Sequence, residues 1–162
     1  MCSPIWPLTA RVRRNENRKE KEKDIVLTRK GRKELRLIGD ALNVGPEDQS
    51  LWYYHQFLML NLAHADGKES FTPGLAQEER IAYVKDEIVN IKDLLEDYAD
   101  VKWIHEVLVE YTVALARLQG RRPDGQETED LRAWLGKLRT LDPMRNGRWD
   151  ELEKQLGLEQ KA

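Results

Sequence analysis

The chain has 162 residues, 40% hydrophobic and 35% charged, which suits one compact domain or one stretch of a helical array and is too short for two full domains. A single cysteine, Cys2, excludes a disulfide framework and a thiolate metal site and fits a reducing, cytoplasmic setting. The net charge of −2 hides two opposed segments: residues 1–33 hold 11 Lys+Arg against 4 Asp+Glu, and residues 34–162 hold 16 against 25.

Residues 1–32 form a charged leader of low complexity, expected to be disordered or a frayed helix and to stand apart from the repeats. It offers no aromatic residue after Trp6 on which bases could stack, so no nucleic-acid partner is expected. From Glu34 the pattern becomes helical, with Leu35, Ile38 and Leu42 at spacings of three and four, until Asn43-Val44-Gly45-Pro46 breaks it. Pro46 suits the first position of a second helix, whose stripe is Leu51, Trp52, His55, Leu58, Met59 and Leu62. Residues 63–75 read as an irregular connection.

A third helix is marked by Ile81, Val84, Ile88, Ile91, Leu95 and Tyr98, and a fourth by Trp103, Val107, Leu108, Tyr111, Leu115 and Leu118, ending at Gly120. The fifth carries Leu131, Leu135, Leu138 and Leu141 behind Thr128 as the expected cap. Asp142 and Pro143 open the last. No segment alternates with period two, so the expected fold is all-α: stacked antiparallel helical hairpins over about 33–62, 76–119 and 128–157, within a domain 33–158. No apolar run exceeds Phe57-Leu58-Met59-Leu60, far short of the ~18 residues of a membrane span.

The hairpins repeat. Pro46 to Trp52 and Pro143 to Trp149 are both six residues, and Asp97 stands at the same distance before Trp103. Trp52, Trp103 and Trp149 are therefore read as equivalent hairpin-core residues. Of the three histidines, His55 sits beside a buried stripe, His64 falls in the connection, and His105 lacks a chelating partner four residues away. There is no nucleophile elbow, phosphate-binding glycine loop or Cys/His cluster. No catalytic, cofactor-binding or metal-binding residue is expected in the chain.

Three segments carry a resemblance: Asp48-Gln49-Ser50-Leu51-Trp52-Tyr53-Tyr54-His55-Gln56, Tyr98-Ala99-Asp100-Val101-Lys102-Trp103, and Leu141-Asp142-Pro143-Met144-Arg145 with Trp149-Asp150-Glu151-Leu152. They resemble, in order and spacing, the protein prenyltransferase alpha subunits, most nearly the type II or Rab geranylgeranyltransferase branch, over about residues 34–158. The resemblance implies a crescent of hairpins around a beta subunit, with zinc, substrate thiolate and isoprenoid held by that partner, and with a Rab escort protein presenting a Rab GTPase. It also implies transfer of geranylgeranyl to C-terminal cysteines, with Tyr54, His55 and Gln56 as positions that would face the beta subunit. Residues 1–33 do not resemble the family's earlier hairpins, including the one whose lysine helps bind the diphosphate. The expectation is a C-terminal part of such a subunit, inactive alone; the alternative is a freestanding helical-repeat adaptor with no role in prenylation.

Overall fold

The computed structural model describes residues 6–63 and 75–158, and every regular element among them is helical. Helix α1 spans Trp6–Val44, α2 Gln49–Ala63, α3 Gln77–Asp97, α4 Lys102–Leu118, α5 Gly125–Leu141 and α6 Asn146–Gln155, with a 3-10 turn at Pro143–Arg145 before the last. The pairing is the antiparallel hairpin array that the periodicity predicts. Gln77 at the start of α3 donates to the Leu118 carbonyl at the end of α4 (2.6 Å), and Arg132 in the first half of α5 donates to the Leu158 carbonyl just past the end of α6 (3.5 Å). Successive second helices run parallel: Tyr53 packs on Trp103 and His55 bonds Tyr111, while Glu106 and Glu110 on α4 meet Arg145 just before α6 and Arg148 within it.

Three local expectations change. Of the two states expected for the leader, disorder or a frayed helix, residues 6–32 take the helical one as the first part of α1, and no break marks the 32/33 boundary. Gly31 costs a helix only about 1 kcal/mol relative to alanine, and the surrounding Lys, Arg and Glu are good helix formers; Arg18 and Glu22 add an i,i+4 pair at 3.4 Å. Thr128 is not the cap of α5. Asp124 takes that place, accepting from the Glu127 backbone N–H (2.8 Å) while Glu127 Oε1 accepts from the Asp124 N–H (3.4 Å). Two reciprocal bonds outcompete one hydroxyl. Pro46 lies in the turn, since Asp48 caps α2 by accepting from Ser50 and Leu51 (2.9 and 3.4 Å), and Pro143 opens the 3-10 turn with α6 starting at Asn146. The connection with His64, and residues 1–5, lie outside the described residues.

Two glycines close helices in the left-handed conformation, Gly120 (φ 64°) and Gly157 (φ 67°). After each, the chain bonds back to the last turn: Arg121 N–H to Ala116 O and Leu158 N–H to Glu153 O. The second reversal drops Leu158 into the core.

Helix α4 is the hub, packed against α2, α3 and α5. Its Ile104, Val107, Leu108 and Tyr111 are buried, joined by Leu42 of α1, Met59 and Leu62 of α2, Val84 and Ile91 of α3 and Leu131, Leu135 and Leu138 of α5. Trp52 and Trp149 have no exposed surface. Truncating such a ring leaves a cavity costing about 3–5 kcal/mol. Trp149→Ala should lower the unfolding free energy by about that amount in urea titration, and a midpoint equal to the parent's would show that the ring is not a core residue.

Candidate functional site

The turns and the second helices share one interaction. Trp52, at the fourth residue of α2, donates its indole N–H to the Pro46 carbonyl at 2.7 Å. Trp149, at the fourth residue of α6, donates to the Asp142 carbonyl at 3.1 Å. In the middle hairpin the fourth residue of α4 is His105, and its Nε2 donates to the Ala99 carbonyl at 2.7 Å. His105 is buried, whereas Trp103 is only partly buried, edge-on to Tyr53 with ring centroids 5.8 Å apart and with Lys102 over its face. The structural counterpart of Trp52 and Trp149 is thus His105. Counting six residues from Asp97 selected Trp103 because the turn before α4 is built without a proline, and the helix starts later relative to Asp97. Burial holds the His105 imidazole below its ordinary affinity for protons, with the backbone bond to Ala99 opposing and Lys137 assisting.

The interior of the first two hairpins is tied by a polar triad. His55, fully buried, bonds Tyr111 Oη through Nδ1 (2.6 Å) and Glu87 Oε1 through Nε2 (2.8 Å). A carboxylate only accepts, so Nε2–H donates to Glu87, and in the neutral imidazole that leaves Nδ1 to accept from the Tyr111 hydroxyl, whose pKa burial, with Glu110 and Glu87 nearby, pushes well above its ordinary value. The order Glu-His-Tyr resembles a proton relay, but His55 and Tyr111 are sealed from solvent and no substrate atom could reach them. The triad links α3, α2 and α4. A second set joins α4 to the last hairpin: buried Glu106 takes both guanidinium nitrogens of Arg145 (3.3 and 3.1 Å) and pairs with Arg148 (3.5 Å).

The positions expected to face a partner separate on the structure. Tyr54 is 39% exposed and donates to Glu34 Oε2 on α1 (3.0 Å), a bond that raises its pKa. Gln56 is half-buried, and His55 points inward, unavailable to any partner in this conformation. The outer side of α2 is instead apolar and aromatic: Tyr53, Phe57 and Leu60 are about half exposed, Phe57 stacks on Tyr54 with centroids 6.4 Å apart, and Leu37 of α1 is also exposed. The spacing 53, 57, 60 is a helical seam. Its signal in the sequence was the run Phe57-Leu58-Met59-Leu60, since four consecutive apolar residues encircle a helix and cannot all face one core. On another side of the same hairpin, α1 and α3 flank a groove of about 700 Å³ above Trp52 and Met59, with Arg36, Asp40, Asp86 and Asp93 among its walls.

Among the described residues no group of three or more His, Cys, Asp or Glu is placed to hold a metal ion, and no helix is long and apolar enough to cross a membrane. What the arrangement offers is a packed set of hairpins that presents an aromatic surface.

Removing the Tyr111 hydroxyl strands a buried acceptor, so Tyr111→Phe should cost about 1–3 kcal/mol in chemical denaturation, and an unchanged stability would mean that the bond to His55 is not made. For His105 the folded state binds its proton less tightly than the unfolded state does. Stability should therefore fall as pH drops through the ordinary value of 6.5. His105→Gln should flatten that slope between pH 7.5 and 5.5 (pH values about the window set by that ordinary value), and an identical slope in the variant would assign the effect elsewhere.

No protein-family model matches the chain, and no solved structure does. The chain is similar to the geranylgeranyl transferase type-2 subunit alpha of Schizosaccharomyces pombe, 32% identical over 126 residues, and to the subunit of the same description from Dictyostelium discoideum, 27% identical over 123 residues. Each match takes in 76% of this chain and 36% and 34%, respectively, of the relative, so the chain spans about a third of the length of the curated relatives it matches. With an all-α hairpin array, recurring buried rings and this similarity over three-quarters of its length, the chain is homologous, over that stretch, to part of the type-2 geranylgeranyl transferase alpha subunits.

Proposed function

We propose that this chain is a scaffold segment corresponding to the C-terminal part of a type II protein geranylgeranyltransferase alpha subunit. The observation that carries the reading is the 32% identity to one such subunit across 126 residues. In this reading the chain holds a beta subunit, and the chemistry, transfer of geranylgeranyl from its diphosphate to C-terminal cysteines of Rab GTPases delivered by an escort protein, belongs to the assembled complex in the cytoplasm. Zinc and the isoprenoid site are assigned to the beta subunit, and this chain alone is inactive. The exposed seam Tyr53, Phe57 and Leu60 supports the scaffold role, because a contiguous apolar patch rimmed by polar residues marks a protein contact.

Co-expression with a prenyltransferase beta subunit tests the proposal. A 1:1 complex should survive size-exclusion chromatography, and Phe57→Glu with Leu60→Glu should abolish it while changing the stability of the free chain by less than about 0.5 kcal/mol, as exposed substitutions do. No complex with the parent chain, together with a stable isolated chain, would favour the freestanding adaptor instead.

A further inference from the structure

The groove between α1 and α3 carries charge that the chain does not neutralise. Its floor residues Leu42, Trp52, Met59 and Ile91 are already buried, so what it offers another molecule is its rim. Asp86, Asp93 and Asp97 line it from α3 at spacings of seven and four, one face of a helix, and Asp40 lines it from α1. None of these four makes an ion pair among the described residues, and neither does Arg36. The other cation in the lining, Arg32, is engaged by Tyr83 and Glu79. The junction of α3 with α5 is satisfied from within, since Lys92 lies over the Trp134 ring and pairs with Asp130 at 3.5 Å.

The missing cations stand on the first part of α1. Residues 11–23 hold seven Lys+Arg against three Glu. The described side chains before Gly31, at 13–19, 21, 22, 29 and 30, are all exposed; a helix that is polar all round and packs on nothing lacks the tertiary support on which most helices depend. Because α1 runs unbroken over Trp6–Val44, one rod supplies both the basic segment and a wall of the groove. It cannot fold back onto itself.

We propose that the basic segment of α1 docks in the α1–α3 groove of a second copy of this chain, the exchange being mutual about a two-fold axis. A two-fold contact must be self-complementary, and a chain that carries both a basic rod and an acidic groove meets that condition. At 1.5 Å per residue, residues 13–31 reach about 27 Å before the packed part of the helix, and the groove runs for about 16 Å along α1 between Arg32 and Asn43. The rod is long enough to lie antiparallel in it. A groove meets a helix from two walls, so cations distributed around the rod find carboxylates on both sides. Their aliphatic stems cover the apolar floor, and Arg36 leaves a cation for one of the three glutamates of residues 11–23. Exposed pairs are individually weak and screened by salt, so the dimer is reversible and dissociates on dilution.

Analytical ultracentrifugation of the full chain tests this. At about 0.05 M salt the mean mass should climb from monomer towards dimer with concentration, and at about 0.5 M salt it should stay monomeric. One variant reverses the rod (Arg13→Glu, Arg14→Glu, Arg18→Glu and Lys21→Glu) and another the groove (Asp86→Lys, Asp93→Lys and Asp97→Lys); all seven side chains are exposed. Each variant alone should dimerise at least ~10-fold more weakly than the parent. Mixed in equal amounts they should dimerise again, because acidic rod then meets basic groove and basic rod meets acidic groove. Circular dichroism reports whether both variants are folded, and the milder Asp93→Asn with Asp97→Asn should weaken the dimer several-fold in its own right. A parent that is monomeric at low salt, parental dimerisation by either reversed variant, or a folded mixture that stays monomeric would each overturn the proposal. So would a monomeric parent that takes up an unrelated Lys/Arg-rich peptide, which would give the groove to another protein's basic segment.

Discussion

A turn between two packed helices brings backbone carbonyls into the interior, where each must find a donor or carry a desolvation penalty. In all three hairpins that donor is the ring N–H of the fourth residue of the second helix: Trp52 to Pro46, His105 to Ala99, Trp149 to Asp142. The rest of the architecture depends on this clamp. It fixes the distance between turn and helix, seats a large ring between paired helices, and so sets the depth at which the next hairpin can dock.

Above that repeated clamp, polar couplings hold the hairpins in register. The Glu87, His55 and Tyr111 set binds the first pair to the second, and Glu106 with Arg145 and Arg148 binds the second to the third. Both stand at the parallel contacts of successive second helices, where apolar side chains alone would tolerate sliding. Glu110 lies beside this second set, and burial together with the Glu106 charge raises its pKa, as expected when carboxylates crowd a partly desolvated site. Chemistry inside the array is thereby devoted to alignment, and the aromatic seam on α2 stays at the surface.

The family relation and the surfaces bear on each other. The chain spans about a third of its curated relatives, and a segment of a hairpin array is stable to the extent that its end surfaces are covered. At one end the chain covers itself, where Gly157 reverses the backbone and Leu158 closes over the last hairpin. On α2, by contrast, Tyr53, Phe57 and Leu60 stay half in water, which is why that helix is the place to look for a contact.

Helical periodicity could be read in the residues themselves, because the apolar spacing of three and four is imposed by the geometry of a single helix and needs no partner. The helix count, the hairpin pairing, the buried Trp52 and Trp149 and the left-handed stop at Gly120 all follow from such local rules. Tertiary structure decided what local rules leave open. Whether His105 or Trp103 fills the middle clamp depends on where α4 starts against its turn, and whether His55 faces a partner or Glu87 and Tyr111 depends on residues 32 and 56 positions away. Those choices are made by long-range packing, which selects among side chains that the sequence places on equally plausible faces.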